Sequence, residues 1–315
     1  MTDNNEFNNE SRQGKGKFKL RHLPSIIAET YREWMSNSPF RLSAVVAYYA
    51  VLSLPALLII ILNSVGAIWG TEVVQGKLSD EFSMALGKDA AAAIEAMIRE
   101  TQDQEKNTIS TIIGIAVLLY GATGVFYQLK ISLNNIWYIK PKPKVLIWKI
   151  IMDRAQSFAF ILVIAFLLLT SFILTAAITA LTDFISSQLP DIVLYLAYLL
   201  DFIISVAIIS LLFALMFKFL PDVKIRWKTV WVGAVLTAVL FVIGKLLLSL
   251  YFGQAQPGST YGAAGTLILI LLWVSYSSLL LFFGAEFTYV FAERYGHGIR
   301  PSEIAEVDTA RKQEN

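Results

Sequence analysis

The chain alternates between long apolar runs and short polar connections. Apolar residues dominate roughly 43–69, 109–130, 155–182, 192–217, 229–252 and 263–290. Each run reaches the about 20 residues that a helix needs to cross a bilayer. The breaks between them hold the turn formers and the charge, as in IKPKPK, SSQLPD, LPDVK and GQAQPGSTYG. The pattern predicts an all-α polytopic membrane protein: a bundle of six transmembrane helices over 43–292, with a basic segment 1–42 before it and a tail 293–315 after it. One connection is long enough for its own helices. Leu78, Phe82 and Ala85 form a stripe that Gly87 breaks, and Ala91, Ile94 and Ile98 form a second after the potential cap Asp89. This predicts an extracytoplasmic helical hairpin over 71–107, between spans 1 and 2, either a packing lid or a cap that recruits substrate.

Composition agrees with the pattern. At 56% hydrophobic and 16% charged residues, with a mean hydropathy of +0.59, the chain is far more apolar than a water-soluble domain. It has no cysteine, so disulfides and thiolate metal sites are excluded. Its two histidines, His22 and His297, lie in polar flanks at opposite ends, which argues against histidine-based catalysis or metal binding. No cofactor is expected. The first 40 or so residues are too polar for the apolar core of a signal peptide, so the first span is expected to serve as an uncleaved anchor.

Lysine and arginine assign the sides of the membrane, because cytoplasmic connections retain them. Arg12, Lys15, Lys17, Lys19, Arg21, Arg32 and Arg41 precede the first span; Lys130, Lys140, Lys142, Lys144, Lys149 and Arg154 cluster around the second connection; Lys218, Lys224, Arg226 and Lys228 mark the fourth. The third and fifth connections have none. Both termini are therefore expected in the cytoplasm. YIKPKPK then falls where the second span leaves the bilayer, with Trp137 and Tyr138 as interfacial aromatics and the lysines facing anionic headgroups. The expected partners are membrane lipids, anionic at the cytoplasmic face. Nucleic acid is not expected, and a homo-oligomer is left open.

Polar side chains inside the spans are the candidate chemistry, because a charge there costs about 2.5 to 3.5 kcal/mol and must face protein or water. Lys245 lies deep in the fifth span, and Asp201 reaches a similar depth in the fourth. With Asn63 they form a candidate intramembrane polar site, in which a Lys245–Asp201 pair either locks two helices or serves a headgroup or protons. Glu286, Lys130, Gln128 and Asn134 form a candidate polar layer on the cytoplasmic side, read either as helix capping and hydrogen bonding at the interface or as an inner gate or a site for an anionic headgroup. Pro55 is a candidate hinge in the first span. Gly233 with Thr237, and Ala234 with Ala238, predict close helix approach.

Four segments carry a resemblance: SAVVAYYAVLSLPALL, YGATGVFYQLKISLNNIW, LPDVKIRWKTVWVGAVLTAVLFVIGKLLLSLYFG and YGAAGTLILILLWVSYSSLLLFFGAEFTYV. In this order, over about residues 30 to 295, they resemble the YihY/BrkB family of bacterial inner-membrane proteins. The chain departs from the family's usual pattern at SLP, where an aromatic often precedes the proline, and at Thr288, where asparagine is common. The resemblance implies a multi-pass inner (plasma) membrane protein of the cell envelope or a transporter without an established substrate. The family's old label, ribonuclease BN, fits poorly, because the chain has no carboxylate cluster suited to two-metal chemistry and no nucleophile motif in its required context. The expected function is a transporter or flippase for a lipid or other amphiphile, and not an enzyme; the alternative is a non-catalytic scaffold of the envelope.

Overall fold

A computed structural model describes residues 18–53, 108–142, 152–164, 192–255 and 265–314, with Gly70 and a few positions between 75 and 83. After a 3-10 turn at Leu20–His22, α1 spans Leu23–Ser36 with Pro24 in its first turn, where the missing N–H costs no helical bond. Asn37 ends the helix, Ser38 turns the chain at φ +52°, and α2 begins at Pro39 and runs to Ser53. Then follow α3 (Thr108–Ile136), β1 (Ile139–Pro141), α4 (152–164), α5 (Ile192–Phe219), β2 (Val223–Lys224), α6 (Trp227–Ala255), α7 (Gly265–Tyr295), β3 (Arg300–Pro301), β4 (Ala305–Val307) and α8 (Thr309–Glu314).

Among the described residues three helices are long and apolar enough to cross a membrane: Phe202–Phe219 in α5, Trp227–Phe252 in α6 and Leu267–Tyr295 in α7. They fall on the fourth, fifth and sixth apolar runs, and none contains a proline, so each can close its backbone hydrogen bonds internally, as a bilayer requires. Of the first and third runs only the starts are described, in α2 and α4, while α3 covers the second and continues to Ile136. The hairpin expected over 71–107 lies outside the described residues, apart from isolated helical positions between 75 and 83.

Helix α6 packs on both α5 and α7. Phe241 stands between them, its ring centroid 5.7 Å from that of Phe213 and 6.4 Å from that of Trp273. Toward the end where α6 begins, the seam with α7 is built from small residues. A Cβ on Gly233 would lie 1.8 Å from the hydroxyl of Thr288, and one on Gly284 equally close to that of Thr237. Each threonine returns its hydroxyl to a carbonyl one turn back, Thr237 to Gly233 and Thr288 to Gly284, both at 2.7 Å. The two backbones approach closely while no hydroxyl is stranded.

The expectation of a purely helical chain needs correction at the connections. β1 pairs antiparallel with β4, Ile139 opposite Val307 and Lys140 opposite Glu306, and β2 pairs with β3, Val223 opposite Pro301. The IKPKPK break is therefore partly a strand, over Ile139–Pro141. Ribbons of two or three residues are too short to show an alternating pattern in sequence. They clasp the tail after α7 to the connections that follow α3 and α5; the Asp308 N–H adds a bond to the Tyr138 carbonyl at 2.7 Å and the Ser302 N–H one to the Asp222 carbonyl at 2.9 Å. Because α1 also packs along the end of α7, α1, both connections and the tail gather on one face.

Candidate functional site

On that face α3 places Lys130 and Asn134 one turn apart, so both side chains leave the helix in the same direction. Lys130 is only 2% exposed and meets two carboxylates: Asp153 of α4 at 2.5 Å and Asp222 of the turn after α5 at 2.9 Å. It also donates to Gln156 Oε1 at 2.9 Å. Asn134 grips Asp222 from both sides, donating from Nδ2 to Oδ2 at 3.0 Å and accepting the Asp222 N–H at 2.8 Å. Gln156 in turn donates to the carbonyl of Phe219, the last residue of α5. A charge this deep is tolerable only with such pairing, and the ring of partners joins three helices at one point.

Beside it stands a second centre around Glu286 of α7, a carboxylate with no exposed surface. Asn37 donates from Nδ2 to its Oε1 at 2.6 Å, and Arg311 of α8 donates to Asn37 Oδ1 at 3.2 Å. The other oxygen, Oε2, has no hydrogen-bond partner among the described residues. The Trp137 indole donates to the Ala285 carbonyl at 3.0 Å, and the Tyr138 hydroxyl donates to Glu33 of α1 at 3.0 Å. Trp137 and Tyr138 are 2% and 4% exposed, so they are core residues and not the interfacial aromatics expected from sequence. The reason is the left-handed turn at Tyr138, φ +55°, which folds the chain back under the bundle. Trp227 and Trp231, at the start of α6, are exposed instead.

The structure thus resolves the expected polar layer into two centres. Lys130 and Asn134 belong to one and Glu286 to the other, while half-buried Gln128 enters neither network. Asp153, Asp222, Asn37 and Arg311 were not foreseen. In sequence each is an ordinary polar residue beside or beyond a span, and only the folded connections bring it inward.

Lys245 occupies a different environment. It is exposed on α6 and lines a notch with Phe241 and Leu248 of its own helix and Trp273, Tyr276, Ser277 and Leu280 of α7. Beside the notch Gly244 lets α6 approach α7 closely, since a Cβ there would lie 2.6 Å from Leu280 and 2.9 Å from the Tyr276 hydroxyl. No ion pair or hydrogen bond engages Lys245 among the described residues. Pairing with the Asp201 side chain, and the positions of Asn63 and Pro55, lie outside the described residues. Among the described residues no group of three or more His, Asp or Glu is placed to hold a metal ion.

The sequence profile of the Virulence factor BrkB family matches residues 30–308. A UPF0761 membrane protein of Verminephrobacter eiseniae is 28% identical over 60% of this chain and 43% of its own length. One from Vibrio vulnificus is 27% identical over 79% of this chain and 76% of its own, and one from Mannheimia succiniciproducens 22% over 87% and 92%. The chain spans under half of the first of these relatives. No solved structure matches it. With the profile running from the middle of α1 through β4, the chain belongs to the Virulence factor BrkB family of membrane proteins.

Proposed function

We propose that the chain moves an anionic lipid, or a lipid-linked component of the envelope, across the bacterial inner membrane along the seam between α6 and α7. The observation that carries this is Lys245: a cation on an apolar helix, exposed, beside Trp273 and Tyr276, and without a partner among the described residues. At about 1.5 Å per residue it stands some 27 Å along α6 from Trp227, close to the about 30 Å thickness of the hydrocarbon layer. A lysine at that depth can reach the outer headgroups while its stem stays in oil. Glu286 lies on the same helix pair, level with the stretch between Gly233 and Thr237 and about 15 Å along the axis from Lys245, and one of its oxygens has no hydrogen-bond partner among the described residues. In this reading the chain is no enzyme; it forms a six-span bundle with both termini in the cytoplasm, where the lysine-rich connections and the tail are gathered.

The test is lipid movement in vesicles. The reconstituted protein is expected to accelerate exchange of a fluorescent phosphatidylglycerol between leaflets, and Lys245→Ala to slow it by about tenfold, the equivalent of roughly 1.4 kcal/mol of headgroup contact. Vesicles with the protein that exchange no faster than empty ones would overturn the proposal.

A scaffold is the second reading, and the clasp favours it, since the paired ribbons and the Lys130 centre make a fixed platform on the face of the termini. In that case function survives Lys245→Met combined with Asp201→Leu.

A further inference from the structure

Helix α1 has three faces, and one of them is both apolar and exposed. Ile26 and Thr30 are fully buried, Ile26 against Phe287 and Val290 of α7. Ile27, Tyr31 and Met35, each about one turn from the next, are 39%, 54% and 43% exposed. Ser25, Arg32 and Ser36 form a third, exposed and polar, flank. At about 100° per residue the apolar flank lies between the packed face and the polar one. A helix bathed only in water has no use for such a flank, and one wholly in lipid has no place for Arg32 and Ser36.

The level of α1 in the bundle comes from its neighbours. Gly233 faces Thr288 across the antiparallel seam of α6 and α7, so Trp227, about 9 Å before Gly233, lies level with the α7 turn that ends near Arg294. Helix α1 meets that same turn: Arg294 pairs with Glu29 and donates to Ser25 at 3.0 Å, and Tyr295 contacts His22 at 2.9 Å. The exposed Trp227 and Trp231 mark the lipid–water boundary, where amphipathic rings collect. Helix α1 occupies the same slab. Four exposed cations surround it, with Lys19 and Arg21 before its start, Arg32 on the polar flank and Arg41 just beyond its end.

We infer that α1 is a membrane-surface helix that seats Ile27, Tyr31 and Met35 among the upper acyl chains and gathers anionic lipid headgroups around Arg21 and Arg32, in the leaflet on the side of the termini. Phe40, 60% exposed and 6.0 Å from the Trp34 ring, continues the apolar flank onto α2. Through Asn37, at its C-terminal end, the same helix holds Glu286. The inference does not depend on transport.

The chain has no native cysteine, so single cysteines can be labelled in the full-length protein. With a fluorophore at Ile27→Cys, Tyr31→Cys or Met35→Cys in nanodiscs, a lipid-borne nitroxide is expected to quench at least about threefold more than at Ser25→Cys or Ser36→Cys. Replacing part of the phosphatidylcholine by phosphatidylglycerol is expected to deepen quenching at position 31, and Arg21→Gln with Arg32→Gln to abolish that gain. Equal quenching on both flanks would overturn the surface seat, as would disulfide cross-linking of two Tyr31→Cys copies, which would make the flank a protein interface. Quenching indifferent to phosphatidylglycerol would overturn the anionic preference.

Discussion

Lys130 and Lys245 are both lysines on largely apolar helices, and the fold treats them in opposite ways. Lys130 is sealed among Asp153, Asp222 and Gln156, and Lys245 is left exposed in an aromatic notch. The first arrangement consumes the charge internally; its partners come from α4 and from the turn after α5, so its effect is to fix those two segments to α3. The second leaves the ammonium exposed, without a partner among the described residues. A buried pair is weak evidence for added stability, but breaking one is costly, because the remaining charges stay in a low dielectric.

That difference is sharpest under substitution. Lys130→Met removes the cation that two buried carboxylates share, and is expected to cost about 3 to 5 kcal/mol, read as a large fall in the unfolding temperature of the detergent-solubilised protein. Lys245→Met is expected to stay within about 0.5 kcal/mol of the wild type, as exposed substitutions do. If the two variants lost stability equally, the notch would be a structural site and the contrast would fail.

Much of this contrast was legible in the sequence, though unevenly. The apolar runs locate α5, α6 and α7 because length and hydropathy alone decide whether a helix can span. Glu286 and Lys130 stood out as expensive residues, and Gly233, Thr237, Ala234 and Ala238 as points of close approach; all six are buried. What could not be read is which polar group answers which. Asp222 reaches Lys130 because a turn after α5 is pinned by Asn134 and by the Ser302 N–H, and Asp153 reaches it from α4. Such partners depend on tertiary pairing of short connections, for which one sequence has no periodic signal. The aromatic belt went astray for the same reason: a single left-handed residue, Tyr138, decides that Trp137 turns inward.

Between the two lysines runs the glycine–threonine seam, and its tightness is the next feature to probe. Gly284→Val would push a branched side chain into Thr237, whose hydroxyl lies 1.8 Å from the position of a Cβ. Overpacking of this kind is expected to cost about 1 to 3 kcal/mol. Thr237→Gly in the same chain should recover part of the loss, giving a coupling energy that two independent sites would not show. Additive losses would mean that α6 and α7 adjust freely here.

The smallest effect is expected where charge is fully exposed. Glu303, in the turn between β3 and β4, meets the Lys224 ammonium at 2.9 Å, with the two side chains 89% and 63% exposed. The hydrogen bond and charge of Lys224 hold the Glu303 carboxyl below the usual carboxylate range. A carboxyl depressed in the folded state adds stability above its unfolded pKa, and that contribution disappears as the pH falls through the folded one. The contribution is therefore present at neutral pH and lost only in acid. Water and salt screen an exposed pair almost completely, unlike the sealed charges around Lys130. Glu303→Gln is expected to leave the unfolding temperature unchanged at physiological salt at pH 7, and to flatten slightly its acid dependence at low salt. A clear loss at pH 7 would show that the tail's clasp relies on this pair, and not on the backbone ladders of β1–β4 and β2–β3.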